Sequence, residues 1–528
     1  MASEKVLSPS MRLAVLCVAL FVRILVGYQP HSGMNDYHGS TASGAYGGDF
    51  EAQRHWMELT VHLPIGEWYY YQLNYWGLDY PPLSAFQSWI CGKFSQLLVG
   101  HDSVALETSR GYENPTHRAF MRATVIVFES IFYTTAVWVW TRPDTSNRPH
   151  SKQSIINFLR VMLSPGMILI DHGHFQYNNA ALGLSLWAFF FFTWKPDSKS
   201  MKWPIIGSIF FCCSLSFKQM TLYYAPAVFA YLLGRCFQRE LPRTLMLKRF
   251  FLLGTTVILT FAATWWPFVY YGPENTTAVE RLLHVLRRIF PFQRGLFEGK
   301  VANIWCSLSI QPFRIRKRIP EDLQPVAALV LTLLMILPAC VQLFHVGRQK
   351  TKEHVDEATR SHRRYLLWGV LNTSLAFFLA SFQVHEKSIL MAVAPASLLA
   401  MESCGFSDWF ALVATWTIWP LLVLDRLHIA YYCVIVLFVL FIVNVRESQT
   451  QTKDHLPKNT IDNLFSHHWL LRWALQMTNV FLLGMHFIEN WIAPPPTMPD
   501  IFVVLWSIVG CAMCLSAWAL SLWQMYQL

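Results

Sequence analysis

An all-α polytopic membrane protein is the fold class this sequence predicts, on three observations. Hydrophobic residues make up 54% of the 528 and charged ones 14%, against about a quarter charged in soluble domains. Mean hydropathy is +0.31. Apolar runs of about twenty residues recur along the whole chain, the length a helix needs to cross the hydrocarbon layer. Backbone exposed to lipid must satisfy its own hydrogen bonds, so such runs are read as helices.

About fourteen spans follow, near 11–29, 119–140, 155–171, 178–194, 203–217, 220–236, 250–271, 325–346, 365–382, 387–403, 408–424, 428–445, 469–491 and 500–526. The first lacks a small-x-small cleavage site and reads as a retained signal anchor. Loop charges orient the set. Arg142/Arg148/Lys152, Lys195/Lys199/Lys202, Arg235/Arg239/Arg243/Lys248/Arg249, Arg348/Lys350/Lys352/Arg360/Arg363/Arg364 and Arg446/Lys453/Lys458 fall in every second loop. The positive-inside rule puts those loops and both termini in the cytosol. The net charge of +10 is therefore a topology signal, and the bilayer, not nucleic acid, is the implied partner. Eleven cysteines without a CxxC pair read as buried free thiols.

Residues 82–99 are apolar but carry Gln87, Lys93 and Gln96. Counting them as a span would reverse the basic loops that follow, so they read as an interfacial helix. The first non-cytosolic loop then runs over about 30–118 and is the expected catalytic face. A second long loop there, 272–324, is strongly basic, with Arg281, Arg287, Arg288, Arg294, Lys300, Arg314, Arg316, Lys317 and Arg318. It reads either as a solvated amphipathic helix over 278–290 or as a cationic site for phosphate. Its sequon Asn275-Thr276-Thr277 lies too close to the preceding span to be expected in use, and Asn372-Thr373-Ser374 falls inside a span.

Every unusual polar cluster lands on this one face: Asp49, Glu51, Arg54, His55 and Trp56; Asp79 and Tyr80; Asp171-His172-Gly173-His174-Phe175-Gln176-Tyr177-Asn178; the stretch from Arg294 through Lys300 and Asn303 to Trp305; and His385-Glu386-Lys387. Polar residues at membrane depth are functional hypotheses by default. Asp49 reads either as the N-cap of a helix ending before Pro64 or as a carboxylate placed to take a hydroxyl proton. His172 and His174 are two apart, not at the i, i+4 spacing that puts two ligands on one helical face. Hydrogen bonding to a polyhydroxylated ligand, with Gln176, Tyr177 and Asn178, fits them better than a metal. His385-Glu386-Lys387 reads as a self-satisfied turn or as a phosphate contact. Trp56, Trp76 and Trp305 read as sugar-stacking rings or as membrane-belt aromatics. No P-loop, dinucleotide fingerprint or G-x-S-x-G elbow occurs.

Together, Gly48-Asp49-Phe50-Glu51-Ala52-Gln53-Arg54-His55-Trp56, Trp76-Gly77-Leu78-Asp79-Tyr80-Pro81-Pro82-Leu83, His172-Gly173-His174-Phe175-Gln176-Tyr177-Asn178, Arg294-Gly295-Leu296-Phe297-Glu298 and His385-Glu386-Lys387-Ser388-Ile389-Leu390 resemble the endoplasmic-reticulum α-1,3-glucosyltransferases that use dolichyl-phosphate glucose. The resemblance runs from about Gly48 to Leu399 and is mainly hydropathic beyond. Gln53-Arg54-His55, Gly173 between the histidines, and Phe297 to Trp305 resemble the branch adding the first glucose.

That resemblance implies a GT-C architecture with interfacial helices in the first luminal loop. It divides the chain into a core module over 1–271 that includes the loop 30–118, a basic luminal loop over 272–324, and a C-terminal module over 325–528. The implied reaction is inverting transfer of glucose from dolichyl-phosphate β-D-glucose to dolichyl-diphosphate-linked Man9GlcNAc2, luminal, with no metal or other cofactor. Asp49 corresponds to the family's general base, while Glu51 supports the loop or pairs with Arg54. The leaving phosphate needs cations, and of Arg294, Lys300, His385 and Lys387 the last two are favoured by their place at a span end. The rival readings are the branch adding the second glucose and a polytopic transporter.

Overall fold

The computed structural model describes residues 9–34, 48–142, 152–196, 200–290, 296, 301–310, 313–349, 355–449, 460–467 and 469–528. All regular structure among them is helical. The N-terminal half runs α1 Pro9–Gly27, α2 Gly48–His62, α3 Pro82–Leu98, α4 Pro115–Glu129, α5 Thr135–Trp140, α6 Lys152–Met162, α7 Pro165–Ile168, α8 Asn178–Thr193, α9 Lys202–Phe217, α10 Ala225–Cys236 and α11 Arg243–Tyr270. The basic loop expected over 272–324 contains α12 Ala278–Ile289, α13 Ile304–Leu308 and α14 Ile315–Arg318. The remainder is α15 Gln324–Arg348, α16 Val355–Ala380, α17 Leu390–Leu398, α18 Cys404–Thr417, α19 Trp419–Leu424, α20 His428–Gln449, α21 Ile461–His467, α22 Trp469–Trp491 and α23 Ile501–Gln527.

Five continuous helices are long and apolar enough to cross a membrane: Pro115–Trp140, Arg243–Tyr270, Gln324–Arg348, His428–Val445 and Ile501–Gln527. Several expected spans are instead broken, and proline or a change of helical pitch sits at the breaks. The expected 155–171 span bends by 48° between Met162 and Pro165. Proline removes a backbone donor and clashes with the preceding turn, so α6 cannot continue. The expected 387–403 span opens as a 3₁₀ turn, Glu386–Ile389, and α18 stops at Thr417 ahead of Pro420. Such breaks are tolerated at membrane depth where protein covers them, and Ile389, Ile418 and the 165–176 stretch are buried.

The expected interfacial helix over 82–99 is one amphipathic helix, α3, ending at Leu98. α3 buries Ser84, Ala85, Gln87, Ser88, Cys91 and Gly92 while Trp89, Ile90, Phe94, Leu97 and Leu98 are exposed. It packs against α2, where a Cβ on Gly92 would stand 2.9 Å from the Met57 carbonyl oxygen. The α10–α15 crossing uses small residues likewise, since a Cβ on Gly234 or Gly347 would collide with the opposing backbone.

α12 is the amphipathic helix expected over 278–290. A capping box starts it: Thr277 Oγ1 accepts from the Glu280 amide, and Glu280 accepts from the Thr277 amide at 2.7 Å. Its cations grip backbone. Arg281 donates to the carbonyls of Val269, Tyr270 and Pro273 at the end of α11, and Arg288 donates to those of Gly77 and Leu78. The loop ahead of Tyr80 is pinned by these bonds.

Candidate active site

Asp49 enters α2 through Gly48, whose φ of +53° and contact with Ser32 leave no room for a side chain. The Asp49 amide donates to Ser32 Oγ at 3.2 Å. Its carboxylate reaches across to other elements instead of capping its own helix, which separates the two readings of this residue. Three donors converge on Oδ2: His174 Nε2 at 2.8 Å, Gln176 Nε2 at 2.5 Å and Lys387 Nζ at 2.5 Å. Among the described residues Oδ1 accepts no hydrogen bond.

Two of these donors are aimed by a backbone exception. After α7 the chain continues as a π-helical turn, Leu169–Phe175, and Phe175 then takes φ +84°. That conformation is strained for an L-residue and persists only where the surroundings impose it. Here the Phe50 ring packs on Phe175 at 4.8 Å, and the Arg122 guanidinium covers it while binding the His172 and Gly173 carbonyls. The reversal leaves His174 and Gln176 both bonded to Asp49. Lys387 arrives on the 3₁₀ turn that follows His385.

A second ring of residues holds the first. Asp425 Oδ2 lies 2.5 Å from His174 Nδ1. Gln176 Oε1 accepts from Lys218 Nζ at 2.7 Å and from the Tyr80 hydroxyl at 3.2 Å. The Lys218 ammonium also stands 4.9 Å over the Tyr80 ring, and Trp56 packs on the same ring at 4.8 Å. Burial alone would push the Asp49 carboxyl up, but the Lys387 ammonium and His174 outweigh it and hold the group well below the usual carboxylate range. Burial, then the neighbouring Lys387 charge, pushes Lys218 below the ordinary lysine range, with Asp171, Asp49 and Asp79 pulling it back.

The remaining expected residues have other places. Arg54 binds Glu51 through two nitrogens at 2.6 and 2.7 Å, Glu58 at 2.8 Å and Ser109 at 2.6 Å, all buried, so this set knits the first loop together. His172 turns to Glu129 at 2.6 Å, a carboxylate that also pairs with Arg23. Asn178 and the Asn179 amide bind Asp171 at the start of α8. Asn303 caps α13 through the Cys306 amide, and Trp305 donates to the Ala380 carbonyl at 2.7 Å. Asp79 bears electrostatically on Tyr80 and Lys218, and His385 and Glu386 flank Lys387 on its turn. Arg294 and Lys300 lie outside the described residues. His172 and His174 bond to different carboxylates, and no group of three or more His, Cys, Asp and Glu among the described residues is arranged around a common metal position.

Lys218 and Asp425 were missed by sequence reasoning. Lys218 is the one charged residue of its short turn, and Asp425 shares its turn with Arg426; a lysine in a turn that the loop charges assign to the non-cytosolic side, against the positive-inside rule, was a usable signal. Beside the site, an apolar cavity of about 450 Å³ opens between α9, α11 and α12, lined by residues including Pro81, Leu222, Trp265, Leu286 and Phe290. Pro81, which directly follows Tyr80, and Gln219, which directly follows Lys218, both line it.

Residues 19–521 match the family model described as the ALG6, ALG8 glycosyltransferase family. Several curated relatives share the printed name dolichyl pyrophosphate Man9GlcNAc2 alpha-1,3-glucosyltransferase. The chain is 37% identical to that of Mus musculus over 482 residues, 88% of each chain. It is 38% identical to that of Gallus gallus over 493 residues, 90% of each. Against that of Saccharomyces cerevisiae it is 34% identical over 543 residues, 97% of this chain and 90% of the relative.

Proposed function

Because the chain belongs to the ALG6, ALG8 glycosyltransferase family, we propose that it transfers glucose to the terminal mannose of dolichyl-diphosphate-linked Man9GlcNAc2 through an α-1,3 bond. The donor in this reading is dolichyl-phosphate β-D-glucose. The enzyme is a GT-C protein of about fourteen spans in the endoplasmic-reticulum membrane, with its site in the lumen; the alternating loop charges support that side.

One observation carries the mechanism: a carboxylate held ionised by three donors on a single oxygen. The β donor and α product require one in-line displacement. As the bond from the anomeric carbon to the phosphate oxygen breaks, the mannose 3-oxygen forms the new bond from the opposite face. Its proton passes to Asp49, with Oδ1 as the oxygen open to receive it. A weakly basic carboxylate suffices, because the hydroxyl becomes strongly acidic only as it bonds to an oxocarbenium-like carbon. The departing electron pair stays on dolichyl phosphate, which needs charge stabilisation and no proton. Lys387 supplies that charge, with Lys218 buried behind Gln176 as a second ammonium. Phosphate oxygens compete with Asp49 for Lys387, so donor binding frees the base when it is needed. Tyr80, backed by the buried Trp56, gives the sugar an aromatic wall, and the apolar cavity beyond Pro81 suits a polyprenyl chain.

The test is transfer from labelled dolichyl-phosphate glucose to lipid-linked acceptors carrying no glucose or one. Label entering the unglucosylated acceptor supports the proposal. Label entering only the monoglucosylated acceptor assigns the chain to the second branch.

A further inference from the structure

His174 lies between two carboxylates supplied by distant parts of the chain. Its Nε2 meets Asp49 at 2.8 Å and its Nδ1 meets Asp425 at 2.5 Å, 251 residues away. With both carboxylates ionised, each ring nitrogen facing one carries a proton, and the ring is then an imidazolium with both N–H groups engaged. Asp425 is buried and sits between α19 and α20 on a turn that allows little freedom. Arg426 holds φ +58°, and the Leu427 amide returns to the Leu422 carbonyl at 2.9 Å. The Leu427 side chain packs so close to Gly173 that a Cβ there would stand 3.0 Å from it. α19 is tied to α22 by the Trp419 indole, which donates to Glu489 at 2.7 Å.

We infer that Asp425 is a positioning residue for the base: by accepting the Nδ1–H of His174 it keeps the ring cationic and its Nε2–H directed at Asp49. Without that carboxylate the ring reverts to one N–H, and Asp49 loses a cationic neighbour. The C-terminal half thereby takes part in a site otherwise built, Lys387 apart, from the N-terminal half. The charged and titratable groups around this relay are Asp49 on α2, Lys387 before α17, Arg122 of α4, on which Asp425 acts, and Tyr80 and Lys218 at Gln176, on which Asp79 and Asp171 act. Arg122 of α4 binds the carbonyls of His172 and Gly173 beside it.

The inference rests on the proposed transferase reading, and its test uses the full-length enzyme in membranes with labelled dolichyl-phosphate glucose. Asp425→Asn should lower kcat at neutral pH by about tenfold with donor KM little changed. It should also move the acid limb of the kcat profile upward by about one pH unit, because Asp49 becomes easier to protonate. Added to His174→Gln, Asp425→Asn should cost less than about twofold more, since both act through one ring. An unmoved acid limb in folded Asp425→Asn enzyme, or losses that multiply in the double variant, would overturn the inference. If Asp425→Asn does not fold, Asp425→Glu decides: it should recover about a third of wild-type activity with the wild-type limb, and a Glu variant as inactive as His174→Gln contradicts the role. Wild-type enzyme inactive with this donor would count against the transferase reading instead, so the two failures are distinct.

Discussion

Lys387 Nζ and Asp49 Oδ2 stand 2.5 Å apart although 338 residues separate them in the chain. A lysine on the 3₁₀ turn ahead of α17 and a carboxylate at the start of α2 thus neutralise each other before any substrate arrives. In the proposed reaction the same ammonium serves the leaving phosphate.

Replacing Lys387 with methionine removes that charge and keeps most of the volume. A charge-assisted hydrogen bond to phosphate contributes about 1.5–3 kcal/mol, so kcat/KM for the donor should fall by about 10- to 100-fold. Burial and the lost ammonium together raise the Asp49 carboxyl, and the acid limb of activity should move upward. Steady-state rates against donor concentration and pH check both; an unchanged donor dependence removes Lys387 from the phosphate site.

Glu58 predicts stability, not chemistry. Burial pushes its carboxyl up, but the hydrogen bond from His55 and the Arg54 guanidinium outweigh that and hold it at about 2. A carboxyl depressed in the fold contributes stability above its unfolded pKa of about 4.3 and loses it as pH falls toward the folded value. Thermal unfolding in detergent should therefore weaken between about pH 4.5 and 2 in wild type. Glu58→Gln should be less stable at neutral pH by about 3 kcal/mol and less sensitive over that acid range, since Arg54 loses a buried partner but keeps Glu51. Equal stability of the variant would show the network to be dispensable.

Chelation gives a third prediction. In the proposed step, ammonium groups carry the positive charge that the leaving phosphate needs. EDTA should leave transfer unchanged, and a loss that Mg²⁺ or Mn²⁺ restores would contradict that division of labour.

The helical class and the importance of the Asp49, His172–Asn178 and His385–Lys387 clusters were legible in the sequence, because hydropathy and polar runs are properties of segments, and Asp49, His174, Gln176 and Lys387 do meet. The direction of individual side chains was not. Asp171 to Asn178 looked like one binding motif, yet only His174 and Gln176 reach Asp49, while His172 and Asn178 bind Glu129 and Asp171. What divides them is a π-helical turn closed by Phe175 at φ +84°, a conformation with no periodicity to read. Lys218 and Asp425 escaped because one or two charged residues in a tight turn form no pattern; only the finished packing brings them to the site. The broken spans show the same limit, since hydropathy sees their apolar length but not the 48° bend ahead of Pro165.

The central claim is that Asp49 takes the proton from the attacking hydroxyl. Asp49→Asn keeps the shape of the side chain and can still bond to Lys387's neighbours, but it has no basic oxygen. Its rate of glucose transfer from labelled dolichyl-phosphate glucose, measured at matched expression and membrane content, tests the claim most directly. Proton abstraction by Asp49 requires a loss of about a thousandfold or more; a variant that transfers glucose at a near wild-type rate would rule that role out.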